Sequence, residues 1–465
     1  MTWRLVRYEL AMIRRNRHAW WTLLTLAALA LLSFANLSLE AARANADKRE
    51  VAAAERERWL GQGEKDPHSA AHYSIFAFKL SPTLATLDSG IEPFVGQSVW
   101  LEAHHQNDML DRPQQKASLL QRAGLASPAG LILTFAPLVA FLLAFVAVAQ
   151  DRERGTMRLA LGASAHPRTI VRAKTLAIWG GMAALLVLPL AALALMVAAI
   201  GGRLDTDILL RVMAWTVLMS AYLALLAGIG IVVSLRAPNA RIALVLLFAL
   251  WIAMALVLPR TASSAVDALR PLPSSQAVRQ QMLDEAAAYW TAEDTKRHQA
   301  QLLARYGVAR LEDIPNARMA ELDMVERHSH QVFDRVLGAL YGRVADQDRL
   351  FSGLGFLSPT VAAQSLSASV AGSDFSHHHH FIVSAERYRR DLVNAMNADG
   401  MAHRADSNER HINDVRLWSA IPEFTYPEPT LGGTSGTAIP ALVALALWLL
   451  AVTFLVDRAA RRLMP

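Results

Sequence analysis

Six long runs of this chain contain no Asp, Glu, Lys or Arg: residues 19–39, 123–150, 175–202, 212–235, 242–259 and 431–456. A helix needs about 20 mainly apolar residues to cross a bilayer, and each run approaches or exceeds that length. Six transmembrane helices are therefore expected, the one over 242–259 being the shortest. Composition agrees, since 53% of residues are hydrophobic and 18% charged, against about 25% charged in an ordinary soluble domain.

The charges between the runs set an orientation. Of 46 basic and 40 acidic residues, 16 basic and 4 acidic fall in residues 1–18, 151–174, 234–241 and 457–465. That bias marks these segments as cytoplasmic by the positive-inside rule, and an even number of spans puts both termini there. The basic balance is thus a topology signal, and no nucleic-acid partner is expected. The first run could also be read as a signal peptide, with small residues for cleavage at AARANA, Ala41–Ala46. It exceeds an h-region of about 7 to 15 residues, which favours an uncleaved anchor. There is no cysteine, so disulfides are excluded as staples for the loops.

Residues 1–18 place Trp3, Val6, Leu10 and Ile13 at helical spacing, with Arg4, Arg7, Arg14 and Arg15 mostly on other faces. This predicts an amphipathic helix in the cytoplasmic interface, its Arg side chains near lipid phosphates. After the span at 19–39, region 40–122 opens with an Ala/Glu/Arg-rich helical string that extends the span outward, then turns irregular between Pro82 and Gly96. Residues 123–150 form the second span and 175–259 the third to fifth. Region 260–430 is large enough for a domain. Leu322, Val325, Val332, Phe333, Val336, Leu337, Leu340 and Val344 trace one helical stripe there, and Phe381, Ala385, Tyr388, Leu392 and Ala395 another. Between them Ser358, Pro359 and Gly372 punctuate a short helix. The reading is an all-α membrane protein with an interfacial helix, six spans and a mainly helical extracytoplasmic domain, ending in the span at 431–456 and the tail 457–465.

The apolar runs carry no central ionisable group of the kind that couples transport to ion gradients. No GxxxxGK[ST] loop is present either, so energy for any transport would come from another chain. No HExxH or G-x-S-x-G motif is present, and no intrinsic catalysis is expected. His104 and His105, in LEAHHQNDML, lack a recognisable partner pattern. The run His377, His378, His379 and His380, with His328 and His330 in the same region, raises metal binding. Consecutive helical residues point about 100° apart, so a polar helix start after Asp374 is the preferred reading and no metal is assigned. Pro137, Pro189 and Pro440, with Gly180, Gly181 and Gly228, can kink spans or let them pack closely.

One segment remains, DRERGTMRLALGASAHPRTIVRAK at 151–174: a short helix, a turn around Gly162–Pro167, and entry into the next span. On charge alone it is a solvated basic loop. It resembles the coupling segment of ABC-2-type transporter permeases, an acidic residue followed by Gly-Thr, a short apolar helix, a Pro turn and a basic residue. Those positions fall on Glu153, Gly155, Thr156, Leu159, Leu161, Pro167 and Lys174. The strings LLARYGVARLEDIPN and LSPTVAAQSLSASVAGSDFSHHHHFIVSAERYRRDL are similar to a branch of that family with a large extracytoplasmic domain of uncharacterised function, and the resemblance runs along nearly the whole chain. The string after IPN, ARMAELDM, departs from that branch, which carries a Gly-containing segment there.

The resemblance implies a permease subunit, an exporter in the bacterial cytoplasmic (inner) membrane. Its expected partners are two copies of an ABC ATP-binding subunit, which would hold ATP and magnesium, a second permease, identical or related, membrane lipids and an envelope protein on the extracytoplasmic domain. Glu153 is then a polar contact or helix-orienting group, and Gly155 a close-approach or backbone-permissive position. The rival reading is a membrane-anchored scaffold or sensor that binds an envelope protein and transports nothing.

Overall fold

The computed structural model describes residues 2–113, 125–162, 166–199, 205–403, 411–433 and 435–461. It is 79% helical. Six helices are long and apolar enough to cross a membrane, namely Arg17–Leu60, Pro128–Glu153, Pro167–Ala198, Thr206–Arg236, Ala240–Leu269 and Gly436–Arg461. That is the architecture of a multi-pass membrane protein.

Helix α1 (Thr2–Arg15) turns Val6 onto Ala173 and Ala177, with Leu10 and Ile13 beside it. Trp3 faces the other way and is 76% exposed, so it does not share the packed stripe. The chain bends at Asn16, whose side chain accepts from Ala19 N at 3.2 Å, and restarts as α2 (Arg17–Leu60). This is a single 44-residue helix, about 66 Å at 1.5 Å per residue. Only its first half is apolar; the second half is the Ala/Glu/Arg string, and Trp59 near its end is buried.

Beyond α2, Asp66 caps the short α3 (Pro67–Ala71) through Ser69 N, with Pro67 in the first turn. Two four-residue strands follow, β1 (Ile75–Phe78) and β2 (Ser98–Leu101), antiparallel with Ile75 opposite Leu101 and Phe78 opposite Ser98. The two strands flank the irregular section between Pro82 and Gly96 and were not expected, because four residues are too few to display alternation.

Ser127 caps α4 (Pro128–Ala144), which runs on through a π turn at Phe145–Gln150 and an α turn at Asp151–Glu153. Residues 123–124, expected in this span, lie outside the described residues. Then come α5 (Thr156–Gly162), α6 (Pro167–Ala199), α7 (Thr206–Arg236) and α8 (Ala240–Trp251). A second π turn, Ile252–Val257, leads into α9 (Leu258–Leu269), so the fifth span does not stop at Pro259. A proline lacks an N–H and crowds the carbonyl four residues back; the wider turn just before Pro259 accommodates both. The last span starts later than its uncharged run, at α16 (Ile439–Arg461), after a 3-10 turn at Ser435–Ala438. Pro440 therefore sits in a first turn, where proline is tolerated, and not in mid-span.

Between α9 and α16 lie α10 (Ser275–Ala287), α11 (Ala292–Tyr306), α12 (Ala317–Gly353), α13 (Pro359–Ala371), α14 (Phe375–Ala402) and α15 (Val415–Ala420). Val332, Phe333, Val336 and Leu337 of α12 bury against Val278 of α10. Nearer its start α12 buries Met319 and Ala320 and then three polar residues, Asp323, Glu326 and His330. On α14, Phe381, Ala385 and Leu392 enter a core with Trp59 and Trp418. Helix α13 begins at Pro359 and ends at Gly372, which takes φ +76°. Ser358 holds the N-cap position without a capping bond from its hydroxyl.

Helix α13 is wedged into the membrane bundle. Its Ala363 and Ala371 belong to the main apolar core, Trp215 Nε1 of α7 donates to Ser367 Oγ at 2.9 Å, and Tyr222 Oη meets Thr360 Oγ1 at 3.0 Å. The large domain is thus joined to the spans through a packed helix as well as through chain connections.

Candidate coupling face

The described residues of this segment, 151–162 and 166–174, form an elbow at the end of the bundle that carries α1 and the end of α16. Gly155 takes φ +76° at the turn between Asp151–Glu153 and α5, and a Cβ there would meet nothing within 4 Å. Its glycine is a backbone requirement and not a close approach. Thr156 Oγ1 donates to Asp151 O at 3.0 Å and lies 3.2 Å from Asp151 Oδ1, which closes the turn.

Helix α5 has two faces. Met157 and Leu161 pack into the main core, while Arg158, Leu159 and Ala160 are exposed, Leu159 at 76%, as are Glu153 and Arg154 just before the helix. A leucine held out in this way on a short charged helix presents an apolar knob surrounded by charge.

Behind the elbow stands an ionic latch. Lys174 is 5% exposed, with Nζ 2.8 Å from Glu9 Oε1 of α1 and 2.9 Å from Asp151 Oδ2. Arg152 donates to the carbonyls of Leu235 at 2.8 Å and Ala237 at 2.9 Å, and more weakly to those of Ser234 and Pro238. It thereby satisfies carbonyls that the end of α7 leaves open. Arg172 Nη2 joins Asp457 Oδ2 at 2.9 Å and ties α6 to α16.

Of the residues singled out by resemblance, Glu153, Thr156 and Leu159 reach the surface, Gly155, Leu161 and Pro167 are half-buried, and Lys174 is interior. The turn expected at Gly162–Pro167 lies partly outside the described residues. Glu9, Asp151 and Arg152 were not singled out. Asp151 and Arg152 stand in the quoted string, but their partners lie on other elements, and only the fold supplies those.

The other candidates sit in the large domain. The four consecutive imidazoles diverge: His377 Nδ1 meets its cap Asp374 at 2.5 Å, His379 stacks on Phe375, and His380 Nδ1 lies 3.2 Å from Tyr426 Oη. His378 is buried, and burial, with Lys79, His379 and Arg112 nearby, pushes its pKa down to about 3. At the domain end of the bundle a cavity of about 610 Å³ opens between α4, the second π turn, α12 and α13. Leu133, Ala255 and Phe351 make it apolar, while Thr360, Gln364 and Asp348 add polar groups. Burial, reinforced by Asp374, pushes the Asp348 carboxyl up to about 6.

Residues 275–427, from α10 to the extended chain before α16, match the family model described as Domain of unknown function (DUF3526). No curated protein and no solved structure matches the chain.

Proposed function

We propose that this chain is the membrane subunit of an ABC-2-type transporter and exports its substrate with energy from a separate ATP-binding subunit. The observation that carries the reading is the line of contact from the elbow to the large domain. The outer face of α5 is free to dock on a partner. Its inner face is in the bundle core, the adjoining Arg152 holds one end of α7, and α7 holds α13 through Trp215 and Tyr222. Motion imposed on α5 would thus reach the domain through packed helices, as rigid-body coupling requires. Two permease chains would stand on two ATP-binding subunits, with both termini cytoplasmic. The cavity beside α13 is a place for substrate on its way out.

The test is purification from native membranes in mild detergent, with mass spectrometry of the co-purifying chains and an ATPase assay. A stoichiometric P-loop subunit is expected, and Leu159→Asp with Glu153→Lys should lower its recovery or its coupled activity at least about tenfold. Recovery without any nucleotide-binding chain, but with an envelope protein on the large domain, would move the assignment to a scaffold.

A further inference from the structure

Three histidines far from the elbow converge where the first loop region meets the large domain. His68 lies on α3 and His72 caps its end, four residues apart and hence on one face. Ala70 and Ala71 between them bury in the core that contains Phe381, Ala385 and Leu392 of α14. His104 sits at the tip of a tight turn closed by the bridge between Leu101 and Gln106. The buried Arg389 grips that turn through the carbonyls of Glu102 at 3.1 Å and Ala103 at 2.8 Å. The three ring centroids stand 4.6 to 5.1 Å apart, and His68 Nε2 lies 3.0 Å from His72 Nε2. One nitrogen from each ring falls within 4.8 Å of the others.

Glu326 of α12 stands behind these rings. Its side chain is 3% exposed, with Oε1 3.3 Å from His104 Nδ1 and 4.0 Å from His68 Nδ1. Asn397 donates to Oε2, whereas Oε1 is buried without a hydrogen bond. Among the described residues the ion-pair contacts of this carboxylate are to imidazoles alone. A buried carboxylate needs a compensating positive charge, and here it faces a cluster able to hold one. Oε1 faces Nδ1 of His104 and of His68 without a hydrogen bond to either, and a proton held on Nδ1 towards it would leave Nε2 to ligate.

We propose that His68, His72 and His104 form a three-histidine site for a zinc-class divalent cation, with Glu326 as the positioning carboxylate behind His68 and His104. The exposed edge at His72 leaves the fourth position to water or a small anion, the pattern of zinc sites that keep an open coordination position. A bound ion fastens α3 and the His104 turn to α12. The site does not depend on the transport reading.

The experiment uses the full-length protein in detergent, purified without a histidine tag and stripped with chelator. Zinc binding is measured by competition with a chromophoric chelator, and cobalt is substituted for its absorption spectrum. One zinc per chain and an intense four-coordinate cobalt spectrum are expected. His72→Gln, at an exposed position, should abolish stoichiometric binding while leaving metal-free melting unchanged, and His104→Gln provides a second variant. Glu326→Gln should keep the stoichiometry but weaken affinity about 10- to 100-fold. His403→Ala with His411→Ala, which removes the other His-containing cluster near Asp399, should change nothing. Absence of binding, binding that survives both His72→Gln and His104→Gln, or binding lost only in the His403 and His411 variant would overturn the proposal.

Discussion

In the membrane bundle α7 meets α4 and α16 through glycines, while in the large domain α14 meets the His104 turn through an arginine. A Cβ on Gly228 would fall 2.4 Å from Val452 Cγ1 of α16, and one on Gly230 would fall 2.7 Å from Ala144 Cβ of α4. Arg389 of α14 is 1% exposed and holds Glu386 at 2.7 Å together with two carbonyls of the His104 turn. Lipid is as apolar as leucine, so greasiness cannot choose one helix partner over another inside a membrane; close approach of small residues can. Water does supply a hydrophobic drive in the domain, but its apolar clusters are small, and buried ions fix how they fit together.

The strongest way to break that contrast is Arg389→Ala. Removing Arg389 takes the donor from two carbonyls and from part of Glu386, which keeps Arg390 Nε at 2.7 Å, and should cost about 3–5 kcal/mol, read by denaturation in detergent, whereas Arg349→Ala, exposed like its partner Asp346, should cost under about 1 kcal/mol. Equal effects would show that burial of the charge is not what matters. Next comes overpacking on α7: Gly230→Leu should lose about 1–3 kcal/mol, while Gly180→Ala, with open space around it, should be neutral or gain up to about 1 kcal/mol of helix propensity. A loss at Gly180 would remove the distinction between crowded and open glycines.

Acid separates the two regions as well. Folded His378 is held neutral, with its pKa near 3, whereas the unfolded chain takes up the proton near 6.5. Stability is therefore full above 6.5 and lost progressively as pH falls towards 3, by about 2 kcal/mol between pH 7.5 and 5. The pH series should be taken on chelator-stripped protein, and His378→Leu should flatten the slope if this group causes it. The smallest effect is local: Gly155→Ala puts a Cβ at φ +76° and should cost about 1 kcal/mol at the elbow. Under the proposed transporter reading, that change should alter the ATPase activity of the co-purified complex more than the melting temperature.

Much of the spans was legible because exclusion of charge over twenty residues is a one-dimensional signal. The stop at Gly372 and the start at Pro359 were legible for a similar reason, since both act through local backbone geometry. The end of the fifth span was misplaced because its uncharged run stops at Arg260, whereas the helix continues through the second π turn and past that arginine to Leu269. The first half of α12 was hidden more deeply. Asp323, Glu326 and His330 lie off the apolar stripe that Leu322 and Val325 mark in the sequence, and only the packing of other elements over them makes them interior. His104 lacked a partner in its own string because its companions come from α3 and α12. At the elbow, the motif named Lys174 but passed over Glu9 and Asp151, the carboxylates that latch it.

Helix α2 carries a consequence of its own. It is unbroken from the bend at Asn16 to Leu60, so the lipid-facing half and the half that bears Trp59 turn as one body. A tilt of about 5° at Asn16 swings the far end through about 6 Å, given a length of about 66 Å. Rearrangements at the membrane too slight to part neighbouring helices would therefore arrive at the Trp59–Trp418 contact magnified to the size of a side chain, and the helix acts as mechanical gearing.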